Sequence, residues 1–117
     1  MRFDPTEYSE LEIEFAFEAF VEGIKERVAK HYAEDFPTLT PDVITVQPGR
    51  AYWKIVKGRG NGSQSVYGFV RKADGAILKA ATWKAPYTRG NNYVRGYVME
   101  DDALAKTTPY GIVYAQH

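Results

Sequence analysis

Cysteine is absent from the 117-residue chain, so disulfides, thiolate metal sites and cysteine nucleophiles are excluded. Histidine is scarce. The two present are His31, on the apolar side of an expected helix near its end, and His117, the last residue, and no carboxylate–histidine cluster has metal-ligand spacing. His31 therefore reads as an ordinary core or cap histidine. Serine is confined to Ser9, Ser63 and Ser65, none of them in a strand–turn–helix elbow. Paired carboxylates for glycoside chemistry are set by folding rather than spacing, and the glutamates here cluster on a helix expected to be solvated. No apolar run approaches the ~20 residues a membrane span needs. The opening "MRFDPTEYSELEIE" is acidic and lacks the basic, apolar, small-residue order of a secretory signal. These absences point to a soluble cytoplasmic protein without cofactor or metal, and away from an enzyme.

What is present describes a single α+β domain over 1–117. The composition is 44% hydrophobic and 15% aromatic, enough apolar surface to offset the entropy of ordering the chain. Net charge is zero, but residues 1–48 hold eleven acids against four bases, −7, and the remainder is +7. The simpler reading is that the two halves pack and neutralise each other; the other is a nucleic-acid surface.

Residues 1–35 are expected to form one long helix. Asp4 suits an N-cap, Pro5 the first helical position, and Glu7 completes a capping box. Ile13, Phe17, Phe20, Ile24 and Val28 make one apolar stripe at three- and four-residue spacing. "LEIEFAF" also alternates with period two, but the capping signals and the longer period favour helix. Tyr8, Leu11 and Phe15 form a second stripe, to be covered by a loop or used for self-association or a protein partner. Glu10, Glu14, Glu18, Glu22 and Glu26 recur every four residues, a pattern of mild mutual repulsion that reads as a solvated face. Residues 36–50 are a proline-rich connector with room for a short strand at Val43–Gln47.

Residues 51–117 read as an antiparallel meander, so about four to five strands pack on the helix. "AYWKIVKG", "SQSVYGFVRK", "AILKAATWK" and "NYVRGYV" are the successive strands, with "GIVYAQ" as a further one. Asp74-Gly75 marks a hairpin turn. "KGRGNGSQ" lacks the Gly-Lys-Ser/Thr of a phosphate loop and leads into a strand, so it reads as a hairpin loop; Arg59 at its tip can still meet an anion.

From Arg50 to Arg95 there are ten Lys or Arg residues and one acid, Asp74, among seven Tyr, Trp or Phe residues. Cations along a phosphate backbone and aromatic faces for base stacking suit single-stranded nucleic acid. Arg59, Trp83, Lys84, Tyr87, Arg89 and Arg95 are the candidates for that surface. Alternation sets Tyr52, Lys54 and Val56 on one face and Trp53, Ile55 and Lys57 on the other, and Tyr67, Phe69 and Arg71 together. One face must pack on the helix, so most aromatics are expected in the core, Trp83 among them as an anchor.

"YWKIVKG…SQSVYGFVRKADGAILKAATWKAPYTRGN" with the later "YGIVYA" resembles small uncharacterised proteins of marine bacteriophages and ocean metagenomes. The shared pattern covers roughly residues 48–95 and the last strand, and includes Gly75, Lys79, Trp83, Lys84, Pro86, Arg89 and Gly90. The resemblance implies a phage source acting in a host cytoplasm, and it implies no mechanism. The leading expectation is a non-enzymatic accessory protein acting through a protein partner or as a homo-oligomer, the alternative a single-stranded nucleic-acid binder, and the third an enzyme.

Overall fold

The computed structural model describes residues 3–59, 62–91 and 93–112. One helix, α1 (Glu10–Asp35), lies against a five-stranded antiparallel sheet of β1 (Val43–Pro48), β2 (Tyr52–Gly58), β3 (Gln64–Arg71), β4 (Ala76–Leu78) and β5 (Val94–Tyr97), in the spatial order β1-β2-β3-β4-β5. This is the expected α+β arrangement, with every strand beside its neighbour in sequence.

The helix begins later than its first capping signal. Asp4 Oδ1 accepts from the Thr6 amide at 2.9 Å and closes a short 3-10 turn, Pro5–Glu7. The α-helical cap is Ser9, whose hydroxyl accepts from Glu12 N at 3.1 Å while Glu12 Oε1 accepts from Ser9 N at 2.9 Å. Both boxes have the right residue spacing. Ser9 wins because the apolar period of α1 runs unbroken from Ile13, four residues after it. Ile13, Phe17, Phe20, Val21, Ile24 and Val28 are buried along one side, the stripe the sequence predicts with Val21 added.

The helix-side core joins Phe17, Phe20, Ile24 and Val28 to Ile44, Ile55, Val70 and Ile77. Trp53 lies flat on Phe17, ring centroids 4.2 Å apart and 9° from parallel. A bulge between Ile55 and Val56 pairs those residues with Gly68 and Val66 and leaves Tyr67 as the extra residue. Tyr67 is thereby turned into the helix-side core, away from the face it was expected to share with Phe69. Burial pushes its phenol up to about 12.

Two strand expectations change. The fifth strand is β1, so the proline-rich stretch supplies the sheet edge. The expected C-terminal strand falls largely on residues 113–117, outside the described residues; Ile112 is bridged to Thr107. The segment 107–112 is held instead by side chains donating to its carbonyls: Arg27 to Thr107 (3.2 Å), Tyr67 to Thr108 (2.5 Å), Lys57 to Tyr110 (3.4 Å) and Lys79 to Ile112 (3.3 Å). Likewise β4 stops at Leu78 rather than running on to Lys84. Asp74-Gly75 does form the preceding turn, with Gly75 at φ +74°, and a Cβ there would strike the Met99 side chain.

Candidate functional site

Residues 79–91 fold into a closed loop. The amides of Ala81 and Thr82 both donate to Ala85 O, at 3.0 and 3.1 Å, and Tyr87 N donates to Lys79 O at 2.7 Å. The Thr82 hydroxyl accepts from Lys84 N and Ala85 N, at 3.2 and 3.1 Å, and Ala80 bridges to Pro86. From Lys79 on, these backbone groups bond within the loop rather than to a neighbouring strand, and β4 ends at Leu78 despite the apolar pattern beyond it.

This loop lies on the sheet face turned away from α1. Trp53 points to the helix, so Lys54 points the other way, and its Nζ stands 4.2 Å from the centre of the Trp83 ring. Val56, Phe69 and Leu78 are buried on that side. A recess of about 310 Å³ opens beside the loop, lined by Arg50, Tyr52, Lys54, Phe69 and Lys84 among others, and no acid lines it. Trp83 is 41% exposed and Tyr87 40% exposed, so Trp83 is not the core anchor the sequence suggested. Its indole covers a cation in preference to filling the interior, because β4 ends five residues before it. Lys84 and Arg89 are exposed in the same loop.

The remaining two candidates sit elsewhere. Arg95 is half-buried on β5. Arg59 follows the far end of β2 from Tyr52, about 20 Å away at strand rise. Its Nε is 3.9 Å from Asp42 Oδ1, and Lys57 Nζ is 4.0 Å from Asp42 Oδ2.

Arg59 borders a second recess of about 370 Å³ at the C-terminal end of α1, which sequence reasoning did not find. There His31 Nδ1 is 3.0 Å from Asp35 Oδ2, and Nε2 is 3.1 Å from the Tyr110 hydroxyl. Burial and a hydrogen bond to Asp42 raise the Tyr32 phenol. The four-residue spacing of His31 and Asp35 was a readable signal; Tyr110, 79 residues away, gave none. Both imidazole nitrogens are engaged, and the cluster docks the 107–112 segment on the helix. Among the described residues, no group of three or more His, Asp or Glu side chains is placed to hold a metal ion, and no helix is long and apolar enough to cross a membrane.

The expected helix surface is divided. Tyr8 precedes α1 and stacks on Phe3 at 5.7 Å, and Phe3 stacks on Tyr97 at 5.0 Å. Only Leu11 and Phe15, 58% and 60% exposed, remain as an open pair on the helix.

A family model described as a family of unknown function (DUF7717) matches residues 4–106, which include α1, all five strands and the 79–91 loop. The chain belongs to that family. No curated protein and no solved structure matches it. Membership adds no activity, so the functional reading rests on the geometry.

Proposed function

We propose that this protein binds single-stranded nucleic acid on the sheet face opposite α1. The observation that carries the reading is the acid-free recess lined by Arg50, Lys54 and Lys84, with Trp83, which Lys54 covers on one face, and Tyr87 exposed in the adjoining loop. Exposed rings accept bases by stacking, each at about 1–3 kcal/mol and with little sequence preference. The cations track the phosphates, and the glutamate-rich helix on the other side of the sheet disfavours any other orientation of the strand. In this reading the protein acts by binding and not by catalysis. A phage-encoded accessory protein in a host cytoplasm fits the resemblance of residues 48–95.

The test is fluorescence anisotropy with mixed-sequence single-stranded DNA and RNA at several salt concentrations. With three to four phosphates contacted, log affinity falls against log salt with a slope of roughly −2 to −3. Replacing Lys84 and Arg89 by Ala weakens binding for every sequence and flattens the slope by about one per lost phosphate contact. Absence of binding at low salt, or a double variant that binds as well as the parent, sinks the proposal.

A second reading is self-association through Leu11 and Phe15, favoured by their exposure. Their isolation from Tyr8 makes it weaker, since stable contacts use contiguous apolar patches. Leu11→Ser with Phe15→Ser then leaves a monomer where the parent is larger, by light scattering. An unchanged mass removes this reading.

A further inference from the structure

Strand β1 is the edge of the sheet. It pairs with β2, and among the described residues no strand takes its other side. Between that edge and α1 runs a groove of about 630 Å³. Its floor is apolar, from Phe17, Val21, Val46 and Trp53, and its helix wall carries Glu14, Glu18 and Glu22. Of these, Glu22 meets a cation, Lys25 at 3.3 Å, in an exposed pair with little net strength. The edge itself lacks the usual guards: Val43 and Thr45 are exposed, no lysine stands in the strand, and its one proline closes the end at Pro48.

We propose that this groove takes an extended peptide segment of a protein partner, added as a sixth strand beside β1, with Lys or Arg at alternate positions. Three properties select that chemistry. A free edge offers backbone hydrogen bonds to an extended chain. The floor accepts the methylene stems of Lys or Arg while their charged heads reach the glutamates. The spacing also agrees. Residues four apart on a helix rise about 6 Å, and alternate residues of a strand advance about 6.6 Å, so successive basic side chains meet successive glutamates over the ~12 Å from Glu14 to Glu22, beside the Val46–Pro48 end of β1. A second copy of this chain is disfavoured as occupant, because two-fold pairing of β1 with itself sets two rows of glutamates across one seam. The groove lies on the helix side of the sheet and meets the proposed nucleic-acid recess at Pro48, which lines both, so the two are distinguished by variants of the helix glutamates, which line only the groove.

The experiment titrates the full chain with a labelled eight-residue peptide alternating Lys and Val, followed by anisotropy at low salt. Two controls accompany it, the same peptide with Glu for Lys and the same peptide N-methylated at alternate amides. The expected result is saturable binding of the first, lost with Glu and weakened about tenfold or more by methylation, since the strand hydrogen bonds go. Glu18→Lys with Glu22→Lys, on the exposed helix face, weakens the Lys/Val peptide about tenfold while helical circular dichroism and oligonucleotide binding are unchanged. Binding that ignores methylation, or that survives the double charge reversal, overturns the proposal. So does failure of the Lys/Val peptide to bind, or a parent chain that already dimerises through the β1 edge.

Discussion

The two tryptophans occupy opposite faces of one strand neighbourhood; each has a lysine over its ring, but they differ in what packs on them. Trp53 is sandwiched against Phe17 under the helix, whereas Trp83 stands 4.2 Å over Lys54 on a loop, 41% exposed. The same contrast holds for the layers around them. The helix presents a row of glutamates; the loop face presents Arg50, Lys54 and Lys84 without an acid in its recess. Packing brings the two charged parts of the sequence together at Asp42, which lies 4.0 Å from Lys57 and 3.9 Å from Arg59, but not along the helix glutamates. The helix glutamates that find cations, Glu22 and Glu34, find them in Lys25 and Lys30 of the same helix. The glutamates of α1 and the cations of the recess lie on opposite sides of the sheet, although Lys57 and Lys72 also stand on the helix side. Aromatic content alone does not indicate function; a ring becomes a recognition element when its layer leaves it uncovered.

The largest test of that contrast exchanges the tryptophans for alanine. Trp53→Ala is expected to cost about 2–3 kcal/mol in denaturant unfolding, less than a fully buried ring, because Trp53 is half-buried against the core. Trp83→Ala should cost under ~1 kcal/mol and instead weaken oligonucleotide binding. Equal destabilisation by both would erase the distinction.

Next is the pH dependence set by Tyr67. Its pKa in the fold is raised from 10.0 to about 12, so the folded state holds the proton more tightly than the unfolded one. Its contribution is fully present below pH 10 and is lost as pH rises through about 12. The loss is on the order of 2–3 kcal/mol, and Tyr67→Phe flattens that limb of the stability curve. A smaller effect, about 1 kcal/mol, is expected for Ser9→Ala, which removes the hydroxyl that caps α1 on the acidic side. Asp4→Ala affects only a 3-10 turn and should cost less.

The smallest effect lies at the β3–β4 turn. Burial acts to raise the Asp74 carboxyl, but hydrogen bonds from Arg71 and the Ala76 amide outweigh it and hold the pKa below 3.8. That stabilisation is present above pH 3.8 and fades as pH falls through the lower folded value. Since the pair is partly exposed, a few tenths to about 1 kcal/mol is expected in acid unfolding, and Asp74→Asn removes the dependence.

Much of this was written in the sequence because it depends on neighbours along the chain. The period of Ile13, Phe17, Phe20, Ile24 and Val28 specifies a helix and its buried side. Alternation in "AYWKIVK" placed Trp53 and Lys54 on opposite faces, and Asp74-Gly75 announced its turn. Tertiary structure decided the rest, where one local preference had to yield to another or a distant group intervened. Ser9 prevailed over Asp4 at the helix start. Hydrogen bonds within residues 79–87 closed a loop where the pattern would have extended β4, and so left Trp83 outside the strand. The Ile55/Val56 bulge turned Tyr67 inward, and Tyr110 reached His31 from 79 residues away. Periodicity records which side of an element is apolar. Only the packed chain fixes which layer covers that side, and therefore which rings and charges stay open to a partner.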